Sequence, residues 1–136
     1  MTALILAVTL AMQTGASPVQ TIAKEMMSQI DEPKQAVVRD ATEFAELWRQ
    51  HAPAKPAPAV DFKTRTVVAV FLGSRMTAGY TVEITGTRED KGTLIVQWQE
   101  RKPGRDDVTA QIITSPAVIA TIPKFSGAIT FEKVDP

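Results

Sequence analysis

The chain has 136 residues, with 15 basic and 15 acidic side chains, so its formal net charge is zero. That length suits one compact domain. The charge balance, with no long run of one sign, excludes a general nucleic-acid surface and a polybasic membrane anchor. No cysteine is present, which removes disulfides, thiol catalysis and thiolate metal sites and leaves packing and hydrogen bonds to hold the fold.

Residues 1–16, MTALILAVTLAMQTGA, read as an export signal. The apolar stretch over residues 3–12 has the length of a signal h-region and is too short to span a bilayer. Thr14, Gly15 and Ala16 supply the small residues a signal peptidase reads, so cleavage is expected after Ala16. No Lys or Arg precedes the stretch, leaving the α-amino group as its positive charge. Residues 17–136 then form a single mature domain, secreted or periplasmic, with no membrane span once the signal is removed. Without cysteine it cannot take the usual lipoprotein anchor.

Ile22, Met26 and Ile30 fit a helical stripe, but the Asp31-Glu32-Pro33 turn and the apolar residues 35–38 that follow favour extended chain. Residues 19–30 and 35–38 are therefore expected as strands. A helix is expected over 40–51. Asp40 with Glu43 three residues later makes a capping-box-like start, and Phe44, Leu47, Trp48 and His51 fall on one face. Pro53 stops it, because the residue before a proline avoids the α region. Phe44 and Trp48 should dock this helix on a sheet. Residues 52–59, APAKPAPA, read as a polyproline-like connector.

Residues 66–86, TVVAVFLGSRMTAGYTVEITG, read as a hairpin-like centre of the chain. Residues 67–72 are an apolar run suited to a buried strand, and Tyr80, Val82 and Ile84 alternate with polar residues as in a strand with one wet face. Between them lies Gly73-Ser74-Arg75-Met76-Thr77-Ala78-Gly79, whose glycines permit positive φ or close backbone approach. A turn over 88–92 precedes a strand over 94–99, and a charged turn covers 101–107. Strands are expected over 108–113, 117–122 and 128–134. The class is α+β: a mainly antiparallel, sandwich-like sheet with the 40–51 helix packed on it.

Little in this pattern points to catalysis. A hydrolytic triad needs a histidine oriented by a carboxylate beside a nucleophile. The single histidine, His51, is expected at the helix end in a rim or capping position. The acid pairs Asp31-Glu32, Glu89-Asp90 and Asp106-Asp107 read as solvated turns rather than calcium ligands. The glycine loop lacks the Lys-Ser/Thr ending of a phosphate loop. No enzyme activity, metal or cofactor is expected.

The same residues carry a resemblance. Gly73, Arg75, Thr77, Gly79 and Tyr80, then Arg101, Pro103 and Gly104, then Thr114, Ser115 and Pro116 resemble the loop, the Arg-x-Pro-Gly turn and the Thr-Ser-Pro corner of the C-terminal domain of the protease complex subunit PrcB family. The resemblance is specific over residues 66–122, and the upstream helix with Phe44 and Trp48 looks like the usual preceding part. Two positions depart from the pattern: Met76 stands where the family loop has proline, and Ala78 where it has the first of two glycines. The resemblance implies an accessory component associated with a secreted serine-type protease, not a catalytic subunit.

Two functional readings follow, beside a purely structural loop. In the first, the chain is a protein-binding module of the cell envelope, with a secreted protease among its candidate partners and Gly73, Arg75, Thr77, Gly79 and Tyr80 at the contact. In the second it is a protease inhibitor acting through the 73–79 loop, which distantly resembles the Asn-Pro-Thr-Thr-Gly loop of chagasin-type cysteine protease inhibitors.

Overall fold

The computed structural model describes residues 18–136, so the expected export signal and its cleavage point lie outside the described residues. In chain order the elements are β1 (Gln20–Glu25), β2 (Lys34–Val38), α1 (Ala41–His51), β3 (Arg65–Phe71), β4 (Thr81–Asp90), β5 (Thr93–Arg101), β6 (Ala117–Pro123) and β7 (Ile129–Lys133). Strands β1-β6-β3-β2 form one sheet and β4-β5-β7 a second. The class is α+β and sandwich-like, as the sequence pattern indicated.

The layering follows from β3. Its Val67, Ala69 and Phe71 pack with Phe44, Leu47 and Trp48 of α1, while Val68, Val70 and the following Leu72 pack with Val82, Ile84, Leu94 and Val96 of the second sheet. A strand covered on both faces has no polar side to show, which explains its unbroken apolar run. Strand β6 divides in the same way, with Ala117 and Ile119 toward the helix and Val118, Ala120 and Ile122 toward the second sheet. The helix begins as its sequence dictates, with Asp40 Oδ1 accepting the Glu43 N–H at 2.8 Å.

Several sequence expectations are corrected. The central stretch is not a hairpin: β3 and β4 belong to different sheets, so residues 73–79 carry the chain from one layer to the other. The expected strand over 19–30 is confined to Gln20–Glu25. Strand β4 runs through Glu89 and Asp90, so its turn to β5 is the two-residue Lys91-Gly92, both with positive φ. Residues 108–113 form no strand. Val108 is fully exposed and Ile112 and Ile113 largely so; the apolar run meets no ladder partner, and side-chain pattern alone cannot supply one. The last strand, β7, pairs parallel to β5, from Leu94 opposite Ile129 to Trp98 opposite Lys133.

His51 also departs from expectation. Rather than standing at a rim it is 1% exposed. Its ring sits edge-on to Trp48 and Phe71, with centroids 5.0 and 5.7 Å away, and Nδ1 lies 2.7 Å from Ser28 Oγ. Burial pushes its pKa below the ordinary histidine value; Glu25 opposes this and Lys55 adds to it. The bond fastens residues 28–30 to the end of α1, helped by the Gln29 N–H donating to the His51 carbonyl at 2.9 Å.

Candidate functional site

Leaving β3, the chain must turn sharply at Gly73. Its φ is +82°, and an added Cβ would lie 2.8 Å from Pro33 Cδ and 2.9 Å from Pro33 N. Both the conformation and the space favour glycine. Gly79, at the far end of the loop, has φ +98°, and a Cβ there would lie 2.9 Å from Pro103 Cβ. Between these points the loop is tied to the long segment that follows β5. The Arg75 N–H donates to the Thr114 carbonyl at 2.7 Å, and the Thr114 N–H returns a bond to the Arg75 carbonyl at 2.9 Å. Thr114 Oγ1 donates to the Thr77 carbonyl at 3.0 Å, and the Ala78 N–H to the Ala110 carbonyl at 3.0 Å.

The side chain of Arg75 turns inward. Its Nε donates to Glu100 Oε2 at 2.8 Å and its NH2 to Glu100 Oε1 at 3.1 Å, a two-pronged pair with a carboxylate whose side chain is 4% exposed. The remaining nitrogen donates to the carbonyls of Leu72 and Ser74, and the guanidinium lies 5.8 Å from the centre of the Tyr80 ring. The hydrogen bonds from Arg75 hold the Glu100 carboxyl below its ordinary range despite its burial, and the charges of Arg75 and Lys133 act in the same direction. Lys133 Nζ approaches the same carboxylate at 3.5 Å.

All five residues singled out from the sequence thus meet in one place: Gly73 and Gly79 make the corners, Arg75 and Tyr80 stack, and Thr77 is held by Thr114. Residues that sequence reasoning passed over complete it. Glu100, twenty-five positions from Arg75, sits where strand alternation gives no hint of an ion pair. Met76, which departs from the family pattern, is 75% exposed. The antiparallel bridge between Arg75 and Thr114 sets Met76 opposite Ile113, 60% exposed, and a second bridge joins Met27 to Ser115. By alternation along these bridged segments Met76, Ile113 and Met27, the last 56% exposed, fall on one side and make an apolar surface over the braced loop. It is large apolar side chains grouped on a fixed base, not one exposed leucine or valine, that mark a contact surface.

Among the described residues no group of three or more His, Asp or Glu side chains is placed to hold a metal. No helix among them is long and apolar enough to cross a membrane.

The geometry defines a two-sheet α+β fold whose layers are joined by a crossover loop, braced by a distant turn and corner. Gly79 packs on Pro103, Arg75 bridges Thr114, and the Leu72 N–H donates to the Pro116 carbonyl at 3.0 Å; the three separated motifs of the sequence are one structural unit. Residues 66–123, which span that unit, match the family model described as PrcB C-terminal, as the motifs led us to expect. No curated protein and no solved structure matches the chain.

Proposed function

We propose that this chain is a non-catalytic, exported accessory module that binds a protein partner, a secreted protease being the candidate that the PrcB C-terminal match favours. The observation that carries this reading is the apolar surface of Met76, Ile113 and Met27 on a base fixed by hydrogen bonds and the Arg75–Glu100 pair. An interface core of this kind gains from water exclusion and loses little entropy, because its backbone is already ordered. On this reading Gly73, Arg75, Thr77, Gly79 and Tyr80 serve the contact by holding Met76 outward. The inhibitor alternative needs a projecting hairpin tip, whereas residues 73–79 run between two sheets and lie bonded along residues 110–114. That favours a docking face over a wedge.

The test is crosslinking capture from the native envelope fraction with wild type, Met76→Asp and Ile113→Asp. Recovery of one protein by wild type, lost in both variants at unchanged thermal stability, is the expected result. Equal recovery by all three would move the interface elsewhere. Dose-dependent inhibition of the captured protease by wild type would instead establish the inhibitor reading.

A further inference from the structure

A second surface lies at the open edge of the first sheet. Four strands end the two sheets: β1, β2, β4 and β7. The pairing of β1 is interrupted between Thr21 and Ala23, and that of β4 between Ile84 and Gly86. Such bulges blunt an edge against further pairing. Strand β7 is regular, but its charges are satisfied within the chain, Glu132 by Arg88 and Gln97, and Lys133 by Glu100. Strand β2 is also regular, Lys34 to Val38 pairing in unbroken register with Phe71 to Val67. Asp40, just beyond it, is still extended, with φ −146° and ψ 165°. Among the described residues neither Lys34 nor Glu43 joins an ion pair.

Alternation fixes what this edge offers. Ala36 and Val38 pack on the helix side and Val37 on the sandwich side, so Lys34 shares the helix face. There Ala36, Val38 and Leu47 floor a groove of about 430 Å³ with Glu43 and Glu46 along it. Gln50, from the last turn of α1, lies beside Lys34 at one end of the groove. Asp40 and Glu43, from the start of α1, lie by Val38 at the other end, where the Glu43 N–H bonds to Asp40. Lys34 and Asp40 are thus about 20 Å apart by the rise of extended chain. An edge with a cation at one end and acids at the other is complementary to an antiparallel copy of itself.

We infer that β2 pairs antiparallel with β2 of a second copy of this chain about a twofold axis at Val37, joining two four-stranded sheets into one of eight strands. In that register Val37 meets Val37, the small Ala36 meets Val38, and Gln35 meets Arg39. Lys34 meets Asp40 with Glu43 beside it, twice by symmetry. Like faces must meet across the axis, so the neighbouring registers are centred on Ala36 and on Val38. The first sets Lys34 against Val38 and Glu32 against Asp40, a cation on an aliphatic side chain and two acids together. The second sets Ala36 against Asp40 and leaves Lys34 off the ladder. An edge lysine ordinarily deters pairing; here it also selects a strand that brings acids to it. This surface uses different residues from the Met76–Ile113 face and does not rest on the function proposed for it.

Pairing through one edge strand buries little surface, so the dimer is weak and is sought at chain concentrations up to about 1 mM. Sedimentation equilibrium is expected to show a reversible dimer. A mixture of isotopically labelled and unlabelled chain should give intermolecular NMR contacts from Val37 to Val37 and from Ala36 to Val38. Lys34→Glu should weaken the dimer by about tenfold, and Lys34→Arg should keep it within about twofold of wild type. Asp40→Asn, which keeps a capping side chain, should weaken it several-fold. Glu43→Lys should bind the Lys34→Glu chain several-fold more tightly than wild type binds it. A chain that stays monomeric, a dimer without contacts between residues 36–38 of its two copies, or a Lys34→Glu dimer as tight as wild type would each overturn the inference. So would protection of the β2 amides by a different protein in a chain that does not pair with itself.

Discussion

The crossover loop and the apolar surface above it are made from alternate residues of the same short segments, yet they answer to different physics. Arg75 and Thr114 turn inward, toward a buried carboxylate and neighbouring carbonyls; Met76 and Ile113, one position away on each segment, turn to solvent. The inner set is fixed by sterics and hydrogen bonding and should govern stability. The outer set makes few demands on the fold and should govern binding. Neighbours in sequence need not share a role, and a motif whose residues hold a loop in place can be functional only through what the loop presents.

The sharpest way to break the inner set is at its corners. Gly73→Ala places a Cβ 2.8 to 2.9 Å from Pro33 at a φ that L residues avoid. We expect a loss of about 3 kcal/mol or more, read as a fall in the denaturation midpoint. Arg75→Ala leaves Glu100 buried with only Lys133 beside it and should cost about 2–3 kcal/mol, at or just below the roughly 3–5 kcal/mol of a broken fully buried pair because Arg75 is itself partly exposed. Since the folded-state pKa of Glu100 is depressed, its contribution is present above the ordinary carboxyl range and lost as pH falls through the folded value. Denaturation at pH 7 and pH 3 should therefore differ less in Arg75→Ala than in wild type.

Smaller effects lie on the helix side. Asp40→Ala removes the cap on α1 and should cost about 1 kcal/mol in the same assay. His51 has a depressed folded-state pKa, so the unfolded chain takes up its proton first. Its contribution is complete above about pH 6.5 and declines as pH falls from there toward the folded value. Amide exchange at residues 28–30, which the Ser28–His51 bond fastens, should quicken over that window, after correction for the intrinsic rate.

Much of the fold was legible in the sequence because local rules wrote it. Asp40 and Glu43 gave the helix start, the Phe44–Leu47–Trp48 stripe its buried face, and the unbroken residues 67–72 a strand covered on both sides. What was not legible depended on partners far away in the chain. Nothing near residue 72 says that the next strand joins another sheet, and parallel pairing of β7 on β5 involves segments over thirty residues apart. Residues 108–113 carried an apolar pattern without the ladder that makes a strand. The five loop residues were found as a cluster, but their direction was not, because Glu100 supplies it from the end of β5.

The most direct test of this division pairs two measurements on two variants: thermal unfolding and capture of the proposed protein partner, for Arg75→Ala and for Met76→Asp. The account predicts that Arg75→Ala unfolds at distinctly lower temperature, whereas Met76→Asp melts with wild type, within about 0.5 kcal/mol, and captures nothing. Full capture by Met76→Asp, or an unchanged melting temperature for Arg75→Ala, would contradict it.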